Sequence, residues 1–305
     1  MELKSFDQLL GDLKSLEGKR VMAVAGADDS HVLEAVVSAK KQNLADAVLV
    51  GTPDKVREIL KSLDENPGDY NIVAVPEGMT PAEVAVEHIK AGDANFLMKG
   101  LVETSDLLRP VVKRENGLRT GRTMSHLAFN AIPNYHKILF TTDGGMVTYP
   151  DLQKKKEIII NAVETLHTIG YDLPKVAVLA CKESVDEKMP ETLDARALKE
   201  ACLAGELGEC FVEGPISYDL SMSAEVAKIK HFDCPHCGNF DVLVGPNIHA
   251  NNIMGKVLTL TAGATMVGII VGARIPIVLT SRGSSALEKE LSIAVAATIA
   301  AKSKN

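Results

Sequence analysis

The sequence predicts an α/β protein of two lobes, each a largely parallel sheet with helices on both faces. Three observations predict it. Short apolar runs rich in β-branched residues alternate with amphipathic stretches of helical period. The alternation runs through two series along the chain, and regular strand-helix alternation implies parallel strands joined by helical crossovers. A length of 305 residues, 46% of them hydrophobic, is more than one domain usually holds.

The first series opens after an amphipathic N-terminal segment in which Leu3, Phe6, Leu9, Leu10 and Leu13 recur at helical spacing. Arg20 to Ala25 reads as a buried strand and His31 to Gln42 as its helix. Ala47 to Val50 is the next strand and Pro53 to Leu63 the next helix, with proline tolerated in the first turn. Asn71 to Val75 with Pro81 to Ala91, then Ala94 to Met98 with Thr104 to Arg114, repeat the unit. The second series begins near Pro150. Ile158 to Thr168 is helical by period, Lys175 to Ala180 is a strand, and Pro190 to Ala204 is a loop followed by a helix. Cys210 to Glu213 and Asp241 to Val244 are strands, with a helix from Ala250 to Thr261. Met266 to Ile270 and Ile277 to Thr280 are strands, and a helix from Ser285 to Ala301 closes the chain. Ligands of such lobes are expected at the carboxyl ends of the strands.

Composition excludes several classes. A formal net charge of -7 argues against a nucleic-acid binder, which carries a basic surface. The N-terminus lacks the basic start and apolar run of a signal peptide. The most apolar stretch, Gly263 to Val271, is too short to span a bilayer. Five cysteines in no framework pattern predict reduced thiols and a cytoplasmic protein. The chain has no GxGxxG turn after the first strand, no GxSxG elbow and no GxxxxGK[ST] loop, which weakens dinucleotide, hydrolase and P-loop readings.

Three segments could carry chemistry. Arg109, Arg114, Arg119 and Arg122 fall close together, and arginine's planar fork suits phosphate oxygens. Lys99-Gly100 ends a predicted strand just before a helix opening near Thr104, where free N–H groups favour an anion. A solvated charged face explains the same residues equally well. Thr280 to Ser285 joins a strand to a helix and offers a hydroxyl and a guanidinium. Ser285 and Glu288 fit a capping box, whereas Ser281 and Arg282 lie outside it. His231, Cys234, His236 and Cys237 form half of a zinc pattern, but the usual second ligand pair is missing. A turn with reduced cysteines and no metal is the expectation.

At these residues the sequence resembles the phosphate acetyl- and butyryltransferases, over nearly the whole chain. Met98-Lys99-Gly100, Thr104-Ser105 and Arg109 resemble the family's first substrate segment. Gly117 to Arg122 with Ser125-His126 resembles the butyryltransferase branch, as do Thr142-Asp143 and Lys188-Met189-Pro190. Gly214-Pro215, Pro246-Asn247 and Asn251-Asn252-Ile253 resemble the shared second half, and Ser281-Arg282 is the most diagnostic pair.

The resemblance implies two α/β domains with an active-site cleft between them, in an architecture like that of isopropylmalate and isocitrate dehydrogenases. The domains would be 1–134 plus 276–305, and 135–275. It implies reversible transfer of a short acyl group, butyryl favoured, between coenzyme A and inorganic phosphate through acyl phosphate. The transfer would be direct, without an acyl-enzyme. No tightly bound cofactor is implied, and a homodimer or higher homo-oligomer is. Ser281, Arg282 and Glu288 would be catalytic, with Glu288 where the family typically has an aspartate base. Lys99, Thr104, Arg109, Arg119, Arg122, Ser125 and Asn252 would contact substrate. An acetyltransferase, a non-catalytic regulatory relative and a two-lobed dehydrogenase are the alternatives.

Overall fold

The computed structural model describes residues 2–18, 20–279 and 285–303. In chain order the helices are α1 (Phe6–Ser15), α2 (Ser30–Lys41), α3 (Pro53–Ser62), α4 (Pro81–Lys90), α5 (Thr104–Val112), α6 (Leu152–Ile169), α7 (Pro190–Leu203), α8 (Tyr218–Met222), α9 (Ala224–Ile229), α10 (Ile248–Leu260) and α11 (Ala286–Lys302). The strands are β1 (Val21–Ala25), β2 (Asp46–Gly51), β3 (Asn71–Ala74), β4 (Phe96–Lys99), β5 (Ser125–Ala131), β6 (Leu139–Thr142), β7 (Lys175–Leu179), β8 (Phe211–Ile216), β9 (Val242–Val244), β10 (Thr265–Val271) and β11 (Ile277–Val278). They form two compact units. The first comprises Phe6–Arg122 and Val267–Asn305, the second Met1–Ser5 and Thr123–Met266.

The first unit orders its strands β3-β2-β1-β4-β11-β10, all parallel except the β10–β11 pair. Local sequence starts its helices cleanly. The Asp29 carboxylate accepts from the Val32 N–H at 2.9 Å, and Thr80 with Glu83 closes a capping box at α4. Pro53 and Pro81 occupy first turns, where no N–H is needed. Helix α11 is apolar on nearly all sides, with Leu291, Ile293, Val295 and Ile299 buried. It packs against α1 and α2, so the amphipathic face of the N-terminal helix is spent on the C-terminal one. Each such buried side chain contributes roughly 1.5–3 kcal/mol.

The second unit orders its strands β5-β6-β9-β7-β8, with β5 antiparallel to β6 and the rest parallel. Strands β5 and β6 are not foreseen in the sequence. Their apolar pattern is interrupted by Ser125, His126 and Asn130, of which Ser125 and Asn130 are fully buried and hydrogen-bonded. Helix α6 begins six residues before the expected Ile158, because Asp151 caps it through the Lys154 N–H at 2.8 Å. Helix α7 starts directly at Pro190.

One buried ion pair anchors this unit. The Lys137 ammonium, 1% exposed, donates to the Asp241 carboxylate at 2.6 Å, to the Asn239 carbonyl at 2.9 Å and to Glu2 at 3.2 Å. Asp241 also accepts the Lys175 N–H at 2.8 Å. Both charges are therefore paired and satisfied, the condition under which burial is tolerated.

Candidate active site

In the first unit the turns after β1 and β4 touch. The Gly100 N–H donates to the Ala25 carbonyl at 2.9 Å and the Leu101 N–H to the Gly26 carbonyl at 2.6 Å. A Cβ on Gly100 would stand 2.0 Å from the Gly26 oxygen, so the approach requires glycine. Lys99 ends β4 at this edge, half-buried. Thr104 opens α5 five residues later. Strand β11 runs parallel to β4, with Val278 opposite Met98, so residue 279 stands level with Lys99. Ser281 and Arg282, which follow in sequence, lie outside the described residues.

The described chain resumes at Ser285, the N-cap of α11. The Ser285 N–H donates to Glu288 Oε2 at 2.7 Å, and the Glu288 N–H donates to Ser285 Oγ at 3.2 Å. The expected capping box is therefore formed. Glu288 is half-buried, and the cap uses only one of its two carboxylate oxygens.

The expected arginine set is not gathered at this edge. Arg109 lies on α5 with its side chain 67% exposed, paired with Asp106 at 3.1 Å. The Arg119 backbone bridges Ala273, in the connection between β10 and β11. That connection lies at the amino end of β4, where the Leu97 N–H donates to the Pro276 carbonyl, opposite the Lys99 end. Thr120 Oγ1 donates to the Gly272 carbonyl, and the Arg274 N–H donates to the Leu118 carbonyl at 2.9 Å. These bonds tie the Gly117–Arg122 segment to the hairpin. Arg122 is half-buried.

In the second unit the carboxyl ends of β6, β7, β8 and β9 carry the notable groups. The Asp143 carboxylate follows β6 and is 3% exposed. It accepts four backbone N–H groups, from Gly145 and Met146 at 2.8 Å, His126 at 3.1 Å and Val147 at 3.2 Å. It thereby folds the Gly144–Val147 turn. Burial holds the adjacent His126 ring below the usual imidazole range, against the opposing pull of Asp143. Asn247 caps α10 through the Ala250 N–H at 3.1 Å. Asn252, exposed on the second turn of α10, donates to the Gly144 carbonyl at 3.0 Å. Ser125 has no exposed surface and accepts from Asn161 at 3.0 Å, so its hydroxyl is closed within the unit.

A cavity of about 570 Å³ opens at the ends of β7 and β9, lined by the apolar face of α10, by Tyr218 of α8 and by Met189, Glu191 and Thr192 at the start of α7. Sequence periodicity does not reveal it. Its one signal is the exposure-prone apolar spacing Ile253 and Val257 on α10, close to a polar face.

Cys234 and Cys237 are buried, and burial together with the neighbouring thiol pushes Cys237 up to about 12. A thiol held neutral is a poor metal ligand. No group of three or more His, Cys, Asp or Glu side chains able to hold a metal occurs among the described residues.

Residues 77–297 match the phosphate acetyl/butaryl transferase family. The chain belongs to that family. Among its relatives is a phosphate butyryltransferase of Clostridium acetobutylicum, 42% identical over 298 residues, covering 98% of this chain and 99% of the relative. A phosphate acetyltransferase of Thermotoga maritima is 36% identical, covering 97% and 100%. A branched-chain phosphotransacylase of Enterococcus faecalis V583 superposes with a TM-score of 0.82 at 29% identity, covering 92% of this chain and 98% of that one. A 4-hydroxythreonine-4-phosphate dehydrogenase of Klebsiella pneumoniae shares the fold alone, with a TM-score of 0.60 at 14% identity, covering 93% and 100%. The α/β architecture is thus common to phosphate acyltransferases and to a dehydrogenase.

Proposed function

We propose that the protein is a phosphate acyltransferase that moves a short acyl group, butyryl in preference to acetyl, between coenzyme A and inorganic phosphate. The observation that carries this reading is the register of β11 with β4. It sets residue 279 beside Lys99 at the strand ends, two residues before the Ser281-Arg282 pair in sequence.

The chemistry follows from the residue types. In the thioester-forming direction Glu288 takes the proton of the coenzyme A thiol. The thiolate attacks the acyl-phosphate carbonyl carbon, the C–O bond to phosphate breaks, and phosphate leaves with the electron pair. The Ser281 hydroxyl donates to the carbonyl oxygen as negative charge develops there. Arg282 holds the phosphoryl oxygens as a bidentate donor. Lys99 and Thr104 supply further anion contacts at this edge, where Arg109, Arg119 and Arg122 are not gathered, and Asn252 contacts substrate from α10. Ser125 acts through packing, as its enclosed hydroxyl supports.

The protein works in the cytoplasm as a homodimer or higher homo-oligomer. No helix of the described residues is long and apolar enough to cross a membrane. The test is the rate of thioester formation from acetyl, propionyl and butyryl phosphate with coenzyme A. Butyryl phosphate is expected to give the highest kcat/KM of the three. A clear preference for acetyl phosphate sinks the butyryl assignment and leaves an acetyltransferase.

A further inference from the structure

All five cysteines lie in the second unit, and two of them form a pair that is both close and open to solvent. Cys202 is in the last turn of α7, and Cys210 directly precedes β8. Their Sγ atoms stand 3.8 Å apart, and both residues are half-buried. The Cys202 thiol also donates to the Cys210 carbonyl at 3.2 Å, which holds it over its neighbour's backbone.

The connection between them is fixed at several points. The Gly205 N–H donates to the Cys202 carbonyl and the Glu206 N–H to the Ala201 carbonyl, each at 2.9 Å, and Gly205 takes the left-handed conformation that ends a helix. Leu207 has no exposed surface, and Lys156 of α6 pairs with Glu206. Lys199 of α7 donates to Glu213 of β8 at 2.6 Å. The native fold thus brings the two sulfurs together with little further ordering required. A disulfide bond of about 2.05 Å requires them to close by about 1.8 Å, within the reach of side-chain rotation.

The other thiols lack this combination. Cys234 and Cys237 are 9% and 7% exposed, in an apolar cluster with Leu220, Phe240 and Leu243, where an oxidant has poor access. Cys181 is exposed, but its thiol faces the Met189 thioether at 3.8 Å and not a second thiol.

We propose that Cys202 and Cys210 form a redox site, a dithiol that small-molecule disulfides oxidise to a bond clamping the end of α7 to the start of β8. With oxidised glutathione, the thiolate of one cysteine attacks a glutathione sulfur, forms a mixed disulfide and releases one glutathione thiolate. The other cysteine, as thiolate, attacks the protein sulfur of that mixed disulfide and releases the second. Two protein sulfurs are oxidised and two glutathione sulfurs reduced, and the protons lost by the cysteines pass to the departing thiolates. Burial and the neighbouring thiol push Cys210 up to about 12, so little of its thiolate is present at neutral pH and the exchange is slow. The pair sits at the amino end of β8, opposite the strand ends where the cavity opens, and the proposal is independent of the acyltransferase reading.

The test is peptide mapping by mass spectrometry after reduced protein is incubated with oxidised glutathione and its remaining thiols are blocked with iodoacetamide. A bond between Cys202 and Cys210 within one chain is expected, with Cys234 and Cys237 recovered as thiols and the bond reopened by dithiothreitol. The bond closes a loop of nine residues, 202–210. For that loop length its equilibrium constant against glutathione is expected to be about 10²-fold higher in the folded protein than in urea. The melting temperature of the second unit should rise by about 5–10 °C on oxidation. Cys202→Ser and Cys210→Ser, treated alike, should each lose both the bond and the rise, and either suffices if the other fails to fold. Glutathione adducts alone at these two positions, links between copies, or a Cys234–Cys237 bond formed in preference would overturn the proposal. A bond formed equally well in folded and urea-unfolded chains, with no rise in melting temperature, would overturn the clamp as well.

Discussion

Glu288 holds two assignments that separate experimentally. Its carboxylate caps α11 through the Ser285 N–H at 2.7 Å, and it is the proposed base for the thiol. Glu288→Gln keeps an acceptor of the same length in the capping box, where glutamine serves as well as glutamate. It removes the basic group. The expected stability change is therefore small, within about 0.5 kcal/mol. The expected loss in kcat for thioester formation is about 10²- to 10⁴-fold, the usual worth of a positioned general base. Ser285→Ala does the reverse. It removes the acceptor for the Glu288 N–H at 3.2 Å and costs about 1 kcal/mol. For a unit of this size that is a fall in Tm of about 2–4 °C. Thermal melts and stopped-flow rates on both variants give the four numbers. A Glu288→Gln protein with wild-type kcat and a lowered Tm would refute the base assignment and leave Glu288 as a cap alone.

Three further outcomes follow from the structure. Lys137→Met leaves the Asp241 carboxylate buried without its 2.6 Å partner and should cost about 3–5 kcal/mol in denaturant unfolding; a loss under 1 kcal/mol would mean the pair is not closed from water. Gly100→Ala forces a Cβ to 2.0 Å from the Gly26 oxygen, so the turn must shift, with an expected cost of about 1–3 kcal/mol and a raised KM for phosphate; unchanged values would contradict the close approach. His126 binds fewer protons folded than unfolded, since burial lowers its pKa below 6.5. Its contribution is thus present above pH 6.5 and is lost as pH falls through that value toward the folded pKa, and His126→Asn should flatten that slope in pH-dependent melts.

Much of the fold was legible because local and tertiary preferences agree. In the first unit, apolar runs such as Val21–Ala25 and Asp46–Gly51 are buried strands bounded by caps that the sequence displays. The second unit was harder where polar side chains are buried. Ser125, Asn130 and Lys137 read as surface residues in a one-dimensional pattern. Ser125 and Lys137 are interior because Asn161 and Asp241 pair with them across long sequence separations, and the Asn130 amide N–H donates to the Leu139 carbonyl of the neighbouring strand. The capping box was visible as Ser285 and Glu288 three apart. The separation of Lys99 from the Arg119 backbone was not visible. Proximity in sequence suggested one cluster, whereas α5 carries the chain from one end of the strands to the other. The apolar cavity was equally hidden, since its walls come from segments between residues 179 and 258 that no local pattern links.

The most direct test of the central claim is the initial rate of butyryl-CoA formation from butyryl phosphate and coenzyme A, measured for wild type and for Ser281→Ala. Direct acyl transfer with oxyanion stabilisation by the serine predicts ready turnover in wild type and a fall in kcat of about 10²- to 10³-fold in the variant. The KM for coenzyme A should stay within a few-fold. Equal rates in the two proteins, or no thioester from either, would contradict the account.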